Sequence, residues 1–567
     1  MSCAVALCVH ATETSAPAHD YYVSAAGNDT TGDGSQAHPW QTIAKLNTLD
    51  LEPGDQVFFR RGDTFTGPIL LDVNDSATDA TGVLRGQPIS FRAFGEGPLP
   101  VVSSPRTHGL HAVDAGGIEI RDLEFAGTAT PGEIVAPANA TNGLLFENTH
   151  SDIRLEHLSL YHLVVHGFGG AGVNISAVNP ATTSGGFIDV RVSRSSLHHN
   201  GRGGIMTGIR SDSGRVVDGS LFAFQARAHA DVYVGNNVVH HTTGKNEQSG
   251  SSGNGIVLSQ VDGALVEYNV AYDNGGVAGG GGVAVWTWES DHVTIQHNEA
   301  YATASFDGRD GGGFGVDGGT RHSRLQYNYS YRNQGAAYGV FQFAYASPMY
   351  GNVIRYNISE ADGSGLSVWG NGPRDGTVTD VAGASLAYNN TIVYPWGPGA
   401  DFFGSVTQFG VYNTIFLSAN NQPLVKRTDF DGAGSGFTLD CQLLNNLYWP
   451  GTEPVHISWD GTSYTSLAAW AKTTGQETMN GTLIALLDDP GLQGPFTGGE
   501  TVEDPRRLRK LTPYRLLPES RARDAGITVA TLPLPLALGL GDSGRRDFYG
   551  MLLPQGPRFD LGAHERR

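Results

Sequence analysis

The stretch "ALVEYNVAYDN" (264–274) is one copy of a pattern that returns through the middle of the chain. Each copy has an alternating apolar strand, an asparagine and a second short strand. The shared asparagines of six copies lie 32, 29, 30, 29 and 32 residues apart, at Asn237, Asn269, Asn298, Asn328, Asn357 and Asn389. A period near 30 in β-branched, aromatic and Gly-rich sequence is typical of one coil of a parallel β-helix.

The repeated asparagines are expected to be architectural. Asparagine tolerates the left-handed backbone conformation of a turn, and its amide can bond to backbone groups. In stacked coils the amides of equivalent asparagines would form a ladder. Asn413 and Asn446 continue the series. The sequence therefore predicts an all-β, single-stranded solenoid.

Length and composition agree with a solenoid that is capped at both ends. The chain has 567 residues, of which 78 are Gly, and this is too long for one compact core. We expect an N-terminal cap and first coils over 19–105, with a short helix around Trp40–Asn47. A β-helix with a groove is expected over 106–435, and a last coil and C-terminal cap over 436–567.

The first 18 residues are expected to lie outside the fold. Residues 1–18 contain a short apolar run and Ala16-Pro17-Ala18, an A-x-A cleavage pattern. The stretch lacks a basic start, so it is interpreted as a truncated signal peptide or, alternatively, a disordered tail. We expect a secreted or periplasmic protein, a monomer, without a membrane span. The net charge of −20 argues against a nucleic-acid partner.

Both ends of the chain carry further motifs. "YYVS", "GND", "GDGS" and "PWQTI" lie within 21–43, and "DAGI" (524–527), "DFYG" (547–550) and "RFDLGAHE" (558–565) lie near the end. They resemble the ends of secreted right-handed parallel β-helix proteins of the pectate-lyase-like superfamily, which are polysaccharide lyases and glycosidases. The resemblance implies a right-handed parallel β-helix and a carbohydrate substrate. It does not set the reaction, because one fold hosts many reactions.

The segment "FDGRDGGGFGVDGGTRHS" (306–323) places Asp307, Asp310 and Asp317 among seven glycines. The run 311–313 of glycines lets the chain bend, so that Asp310 can return beside Asp317. Like charges brought together raise one pKa, which gives a protonated acid and an ionised base or nucleophile. Such a pair cleaves glycosidic bonds. Two other interpretations are a solvated turn and a Ca²⁺ site formed by the three aspartates.

Within this segment, D-GGGFGV-D-GG is similar to a motif of β-helical glycosidases of the lacto-N-biosidase-like family. In that family two aspartates with this separation form the catalytic pair. The resemblance implies that Asp310 and Asp317 are catalytic, and we assign Asp307 a supporting role. It does not carry over that family's substrate.

Aligning the second strand of each copy on its first glycine predicts one outward-facing row of side chains. That row contains Ser259, Trp286, Asp317, Phe343 and Trp369, and Trp288 borders it. Exposed aromatic rings in a row are expected to stack on sugar rings, unless a loop covers them. Further substrate contacts are expected from Arg321, His322, Tyr338 and Gln342.

Three functions remain open from the sequence, and we expect the first. It is a secreted glycoside hydrolase with an aspartate pair and no cofactor. The second is a polysaccharide lyase that uses Ca²⁺ at the three aspartates and a basic group such as Arg309 or Arg321. The third is a carbohydrate-binding surface protein without catalysis.

Overall fold

The computed structural model describes residues 18–130, 141–178, 185–210, 227–245, 251–306, 308, 310–342, 346–370, 382–404, 406–418, 421–428, 439–494 and 504–567. The predicted signal segment lies almost entirely outside these ranges. Asp307, Arg309 and Phe343 also lie outside them.

The described chain is built almost entirely from short strands. In chain order they are β1 Asp20–Val23, β2 Gln56–Arg60, β3 Thr64–Thr66, β4 Ile69–Leu71, β5 Ile89–Phe94, β6 Val101–Ser103, β7 Leu110–Val113, β8 Ile118–Arg121, β9 Glu124–Ala126, β10 Leu144–Asn148, β11 Arg154–Tyr161, β12 Val164–His166, β13 Ala171–Val178, β14 Gly186–Ser193, β15 Ser196–His198, β16 Gly203–Arg210, β17 His229–Gly235, β18 Val238–His240, β19 Asn254–Ser259, β20 Val261–Glu267, β21 Val270–Tyr272, β22 Val283–Trp288, β23 Asp291–Gln296, β24 Glu299–Tyr301, β25 Gly312–Asp317, β26 Arg324–Gln326, β27 Tyr329–Tyr331, β28 Ala336–Gln342, β29 Val353–Arg355, β30 Ile358–Glu360, β31 Ser364–Gly370, β32 Ala382–Tyr388, β33 Thr391–Val393, β34 Ala400–Gly404, β35 Val406–Tyr412, β36 Ile415–Leu417, β37 Val425–Thr428, β38 Leu439–Leu444, β39 Leu447–Trp449, β40 Ile457–Trp459, β41 Thr462–Tyr464, β42 Thr478–Met479, β43 Thr482–Leu483 and β44 Leu486–Leu487.

Three 14-stranded sheets run along the molecule, and each coil contributes one strand to each sheet. Sheet A contains β1, β2 and every third strand from β5 to β38. Sheet B contains every third strand from β3 to β39, followed by β44. Sheet C contains every third strand from β4 to β40, followed by β41. Neighbouring coils pair in parallel, as in β20 with β23 and β21 with β24. The predicted parallel β-helix is therefore confirmed.

The interior is filled by the alternate, inward-facing side chains of all three sheets, which form one continuous apolar core. Equivalent residues of successive coils stack on one another. The rings of Tyr272, Tyr301 and Tyr331, for example, lie 4.9 Å apart from coil to coil. Each outer position therefore becomes a row of side chains that runs along the axis.

An asparagine ladder lies at the corner between sheets A and B. The Oδ1 of Asn328 accepts the backbone N–H of Asn298 at 3.0 Å and its side-chain amide at 3.1 Å. The same pattern runs from Asn237 to Asn390, and it ends at the buried carboxylate of Glu477. The amides thus bond each coil to the next from Asn237 to Asn390.

Two details of the predicted ladder are wrong. The left-handed conformation belongs to the residue before each ladder position, such as Tyr327 with φ 59°. Asn389 and Asn413 hold that preceding position, and Asn390 and Thr414 occupy the ladder itself. In each case the asparagine at the turn lies one residue ahead of the ladder residue, and the sequence pattern could not separate the two positions.

Short helices and the C-terminal segment close the solenoid. The helices are α1 Ile43–Leu46, α2 Leu467–Thr474 and α3 Pro533–Leu538, with 3₁₀-helices at Pro505–Lys510 and Val529–Thr531. Trp470 of α2 is fully buried against Trp459 at the last coil. The segment after 504 packs back along the coils, where the hydroxyl groups of Tyr514 and Tyr329 are hydrogen-bonded at 2.8 Å. None of the helices in the described ranges is long and apolar enough to cross a membrane.

We expect Asn328→Ala to lower the free energy of unfolding by about 1–3 kcal/mol, because the backbone N–H of Asn298 loses its buried acceptor. Urea unfolding followed by circular dichroism measures the change. The matched control is Asn74→Ala, at an exposed turn position just after β4, which should have little effect. Equal unfolding midpoints for the two variants would contradict a contribution of the asparagine ladder to stability.

Candidate active site

Asp310 and Asp317 line one narrow pocket on the outer face of sheet C. Asp317 is the last residue of β25, and Asp310 lies two residues before that strand. Gly311, with φ 83°, turns the chain between Asp310 and the strand. Gly315, Gly339 and Phe341 complete the part of the pocket nearest Asp317. The structure therefore brings together the two carboxylates that the sequence singles out.

Asp310 is held by the preceding coil. Its Oδ2 accepts a hydrogen bond from the backbone N–H of Gly281 at 2.7 Å. A hydrogen bond from an amide stabilises the charged form of a carboxylate. The following coil closes in on the same turn, where a Cβ at Gly335 would lie 2.5 Å from the carbonyl oxygen of Asp310. Glycine at 335 is thus required for the position of Asp310.

Asp317 is in the opposite electrostatic situation. Its side chain is buried, with 7% of the residue exposed. Burial, and then the negative charge of Asp310, raise the pKa of Asp317 well above its usual value. A carboxyl group of this kind keeps its proton at a pH at which ordinary aspartates have lost theirs. The pocket therefore contains one carboxyl group that favours its protonated form, Asp317, and one carboxylate that accepts a hydrogen bond from a backbone N–H, Asp310.

Two outward-facing glycines open the pocket. Strand register places Gly315 beside Gly339 on the next coil, and Trp286 of the preceding coil continues the same row. A Cβ at Gly315 would lie 3.4 Å from Oδ1 of Asp317 and 3.3 Å from Cβ of Trp286. The absence of a side chain at Gly315 leaves a notch at the side of the Asp317 carboxyl group, whereas Gly339 makes room for the ring of Phe341, whose Cε2 would lie 2.6 Å from a Cβ there.

The row that contains Asp317 differs from the predicted one. Register pairs Asp317 with Phe341, then Trp369, then Phe403 on successive coils. On the other side, continuing the register of β22 and β25 puts Trp288 next to Asp317. Trp288, Phe341, Trp369 and Phe403 are all partly exposed.

The predicted place of Trp286 in this row is wrong. Trp286 lies one row away, is buried against Val257 and Val283, and donates from Nε1 to Asn254 at 2.9 Å. Phe343, which was also predicted to belong to this row, lies outside the described residues. Phe341 occupies the position next to Asp317 that was predicted for Phe343. The equivalents of Gly313 are Ala284 and Ala337 in these coils, so an alignment on glycine shifts both strands by two residues.

Two predicted substrate contacts are buried away from the pocket. Tyr338 faces the core, and its hydroxyl donates to the carbonyl oxygens of Ile358 at 2.6 Å and Asn328 at 3.0 Å. Gln342 is fully buried and donates to the carbonyl of Ser347 at 3.0 Å. Both side chains are therefore structural, and the prediction that they contact substrate is wrong.

Arg321 and His322 follow the turn after Asp317. Arg321 donates to both carboxylate oxygens of Asp291, at 3.0 and 2.7 Å. The ring of His322 stacks on that of His292, with centroids 5.2 Å apart. Neither side chain lines the pocket in which Asp310 and Asp317 meet.

A buried ionic network, which the sequence interpretation missed, holds the turn after Asp317. Arg227 is 3% exposed and donates to Glu289 at 2.8 Å, to Asp291 at 3.1 Å and to the carbonyl of Gly319 at 2.8 Å. Although burial raises the pKa of Asp291, the hydrogen bonds and charges of Arg321 and Arg227 bring it below its usual value. Arg227 lies 92 residues from Gly319, so no local motif indicates the contact.

Ca²⁺ ligation by the predicted aspartates finds no support among the residues whose positions are described. These residues contain no group of three or more His, Cys, Asp or Glu side chains placed to hold a metal ion. Asp307, the third aspartate of the predicted Ca²⁺ site, is not among them.

We expect Asp317→Asn to be more stable than the parent protein, by a margin that grows with pH. An unfolded aspartate titrates near its ordinary pKa of about 3.9, whereas that of folded Asp317 is raised. The parent protein therefore loses stability as pH rises from about 4 to the raised pKa, and the asparagine variant does not. Urea unfolding at pH 5 and pH 8 measures this difference. A margin that does not grow between the two pH values would contradict the raised pKa.

Comparison with known proteins gives one sequence relative. No family model matches the chain. It is 24% identical over 529 residues to lacto-N-biosidase from Bifidobacterium longum subsp. longum, which covers 77% of this chain and 31% of that protein. The chain thus spans about a third of the length of the curated relative that it matches.

Solved structures give the fold. The chain resembles GH136 lacto-N-biosidase from Eubacterium ramulus, in its selenomethionine form, with a TM-score of 0.51 at 19% identity. The match covers 76% of this chain and 67% of that one. Pectate lyase Pel9A matches over 98% of both chains, with a TM-score of 0.42 at 15% identity. The match to the GH136 structure agrees with the parallel β-helix fold, and the predicted similarity to the lacto-N-biosidases is confirmed.

Proposed function

We propose that the protein is a glycoside hydrolase in which Asp317 and Asp310 are the catalytic pair. The observation that carries the proposal is one pocket with two carboxyl groups in opposite electrostatic situations. Burial raises the pKa of Asp317 and so favours its protonated form, and an amide hydrogen bond stabilises the charge on Asp310. Acid-assisted cleavage of a glycosidic bond needs one proton donor and one carboxylate at the same bond.

In the proposed reaction Asp317 donates its proton to the glycosidic oxygen as the bond to the anomeric carbon breaks. Asp310 either attacks that carbon or deprotonates the water that does so. Phe341 and Trp288 lie on either side of Asp317 in the row and present rings to the sugar units next to the bond. Two carboxyl groups and a water molecule complete this reaction, so the proposal requires no metal ion.

Sequence similarity supports the same proposal. Over most of its length the chain is similar to a lacto-N-biosidase, and it shares the fold of a second one. Because the chain spans only about a third of the curated relative, its own activity and substrate remain proposals. A glycan that contains a lacto-N-biose unit is accordingly the first substrate that we propose to test.

A polysaccharide lyase has less support. A lyase needs an ionised base, together with a cation that neutralises the uronate carboxylate. The raised pKa of Asp317 favours an acid rather than a base. Arg227 and Arg321, two cations near the turn, are both ion-paired with Asp291.

We expect Asp317→Asn to lower kcat on an oligosaccharide by about 10²–10⁴-fold, because the leaving oxygen loses its proton donor. The loss should be much smaller on a nitrophenyl glycoside of the same sugar, whose leaving group needs little protonation. Asp310→Asn should lower kcat on both substrates. The measurements are initial rates by chromatography and by nitrophenol release.

The matched control is Asp231→Asn, at an aspartate that is 63% exposed on sheet A. It should retain the parent rates. Full activity in Asp317→Asn, or an equal loss in Asp231→Asn, would overturn the assignment of the pair.

A further inference from the structure

Four histidines lie together on the outer surface at the ends of two sheet B strands, β15 and β18. They form two consecutive pairs, His198-His199 and His240-His241, on neighbouring coils. The rings of His198 and His240 stack with centroids 4.9 Å apart, and those of His199 and His241 stack at 5.1 Å. None of the four lines the catalytic pocket on sheet C. The result is a separate, two-by-two array of imidazole rings.

The backbone at the second histidine of each pair brings both rings to the same side. Neighbouring residues of an extended strand point to opposite faces. His199 and His241, with φ of 54° and 53°, instead adopt the left-handed conformation directly after their strands. The two Nδ1 atoms lie 2.9 Å apart in the His198-His199 pair and 2.8 Å apart in the His240-His241 pair. The second histidine of each pair is exposed and the first is partly exposed, so both pairs lie at the surface.

Two imidazole nitrogens at this separation need a positive charge between them. Each neutral ring has one N–H and one lone pair, and two facing lone pairs repel. Either a proton lies between them, as an N–H···N hydrogen bond, or a metal ion does. An ion with metal–nitrogen bonds of about 2.0–2.1 Å holds two nitrogens about 2.9 Å apart at a right angle, and about 3.3 Å apart at the tetrahedral angle. The separations in the two pairs match the right angle, which Cu²⁺ and Ni²⁺ prefer.

The surroundings favour the form of imidazole that binds metal ions, which is the neutral ring. Burial, and then the charges of neighbouring histidines, lower the pKa of both His198 and His240 to about 4. Nε2 of His241 lies 4.0 Å from Oδ2 of Asp273. A carboxylate beside Nε2 favours a proton on that atom and leaves the lone pair on Nδ1, which faces His240. The His240-His241 pair is therefore the better prepared of the two.

We propose that each pair chelates one divalent transition-metal ion of tetragonal geometry, Cu²⁺ or Ni²⁺, through its two Nδ1 atoms. The ring that carries its proton on Nδ1 takes it up on Nε2 instead, so neutral rings release no proton. Each pair supplies two ligands, fewer than the groups of three or more that the described residues lack, and water completes the coordination.

The two sites are not equivalent. The His240-His241 pair binds first, because Asp273 orients His241. Ions on both coils would lie about 5 Å apart, as the stacked rings do, and would repel each other, so the second ion binds more weakly. This inference does not depend on the proposed function.

Copper binding is measured on the full chain without a histidine tag, by isothermal titration with Cu²⁺ against glycine as a competitor. Electron paramagnetic resonance without glycine counts the nitrogens bound to copper. We expect the first Cu²⁺ to bind at least tenfold more tightly than the second, with two ring nitrogens at each. His241→Asn should weaken the first site at least tenfold, since asparagine keeps the left-handed turn and removes one ligand. The double variant His199→Asn/His241→Asn should lose the two-nitrogen signal.

The matched control is His162→Asn, at a histidine that is 55% exposed and has a left-handed φ of 53°. It should leave both affinities and the spectrum unchanged. Unchanged copper affinity in the double variant, an equal loss in His162→Asn, or a spectrum with one ring nitrogen would overturn the proposal and leave the pairs as hydrogen-bonded side chains. If the double variant does not fold, the single variants decide, because His199→Asn and His241→Asn must each remove one two-nitrogen equivalent.

Discussion

Hydrogen bonding between successive coils is the interaction on which the rest of the structure depends. The parallel strands give each coil its backbone partners, and the asparagine ladder adds side-chain amides at one corner. Because each ladder amide bonds both the backbone and the side chain of its neighbour, the coils cannot shift in register without breaking buried hydrogen bonds. This fixed register turns each outward-facing position into a straight row, and the candidate site is built from two such rows.

The site lies where the regular pattern is interrupted. Gly311 bends the turn that carries Asp310, Gly335 lets the next coil approach that turn closely, and Gly315 leaves the notch beside Asp317. Burying a carboxyl group next to another carries a cost, which is visible in the raised pKa of Asp317. The network of Arg227, Glu289 and Asp291 fixes the turn on the far side of Asp317. The rigid solenoid thus holds an unfavourable arrangement that a flexible loop would relax.

The fold, and the strand face that carries Asp317, could be predicted from the sequence because both depend on local periodicity. The repeat near 30 residues gives the β-helix, and the alternation along each strand gives the face on which Asp317 lies. The row along that face could not be predicted, because Ala284 and Ala337 replace the glycine used for alignment. A shift of two residues leaves a side chain on the same face and moves it to a different row.

The inward placement of Tyr338 and the contacts of Arg227 were also beyond sequence reasoning, since both depend on distant parts of the chain. The central claim is that the pair of Asp310 and Asp317 cleaves glycosidic bonds with water. It is tested most directly by incubating the protein with lacto-N-tetraose and other neutral glycans in H₂¹⁸O and measuring the masses of the products. Hydrolysis predicts one ¹⁸O atom in one product of each cleavage, and none when Asp317 is replaced by asparagine. Unlabelled, unsaturated products from a uronate glycan, with no cleavage of neutral glycans, would contradict the account.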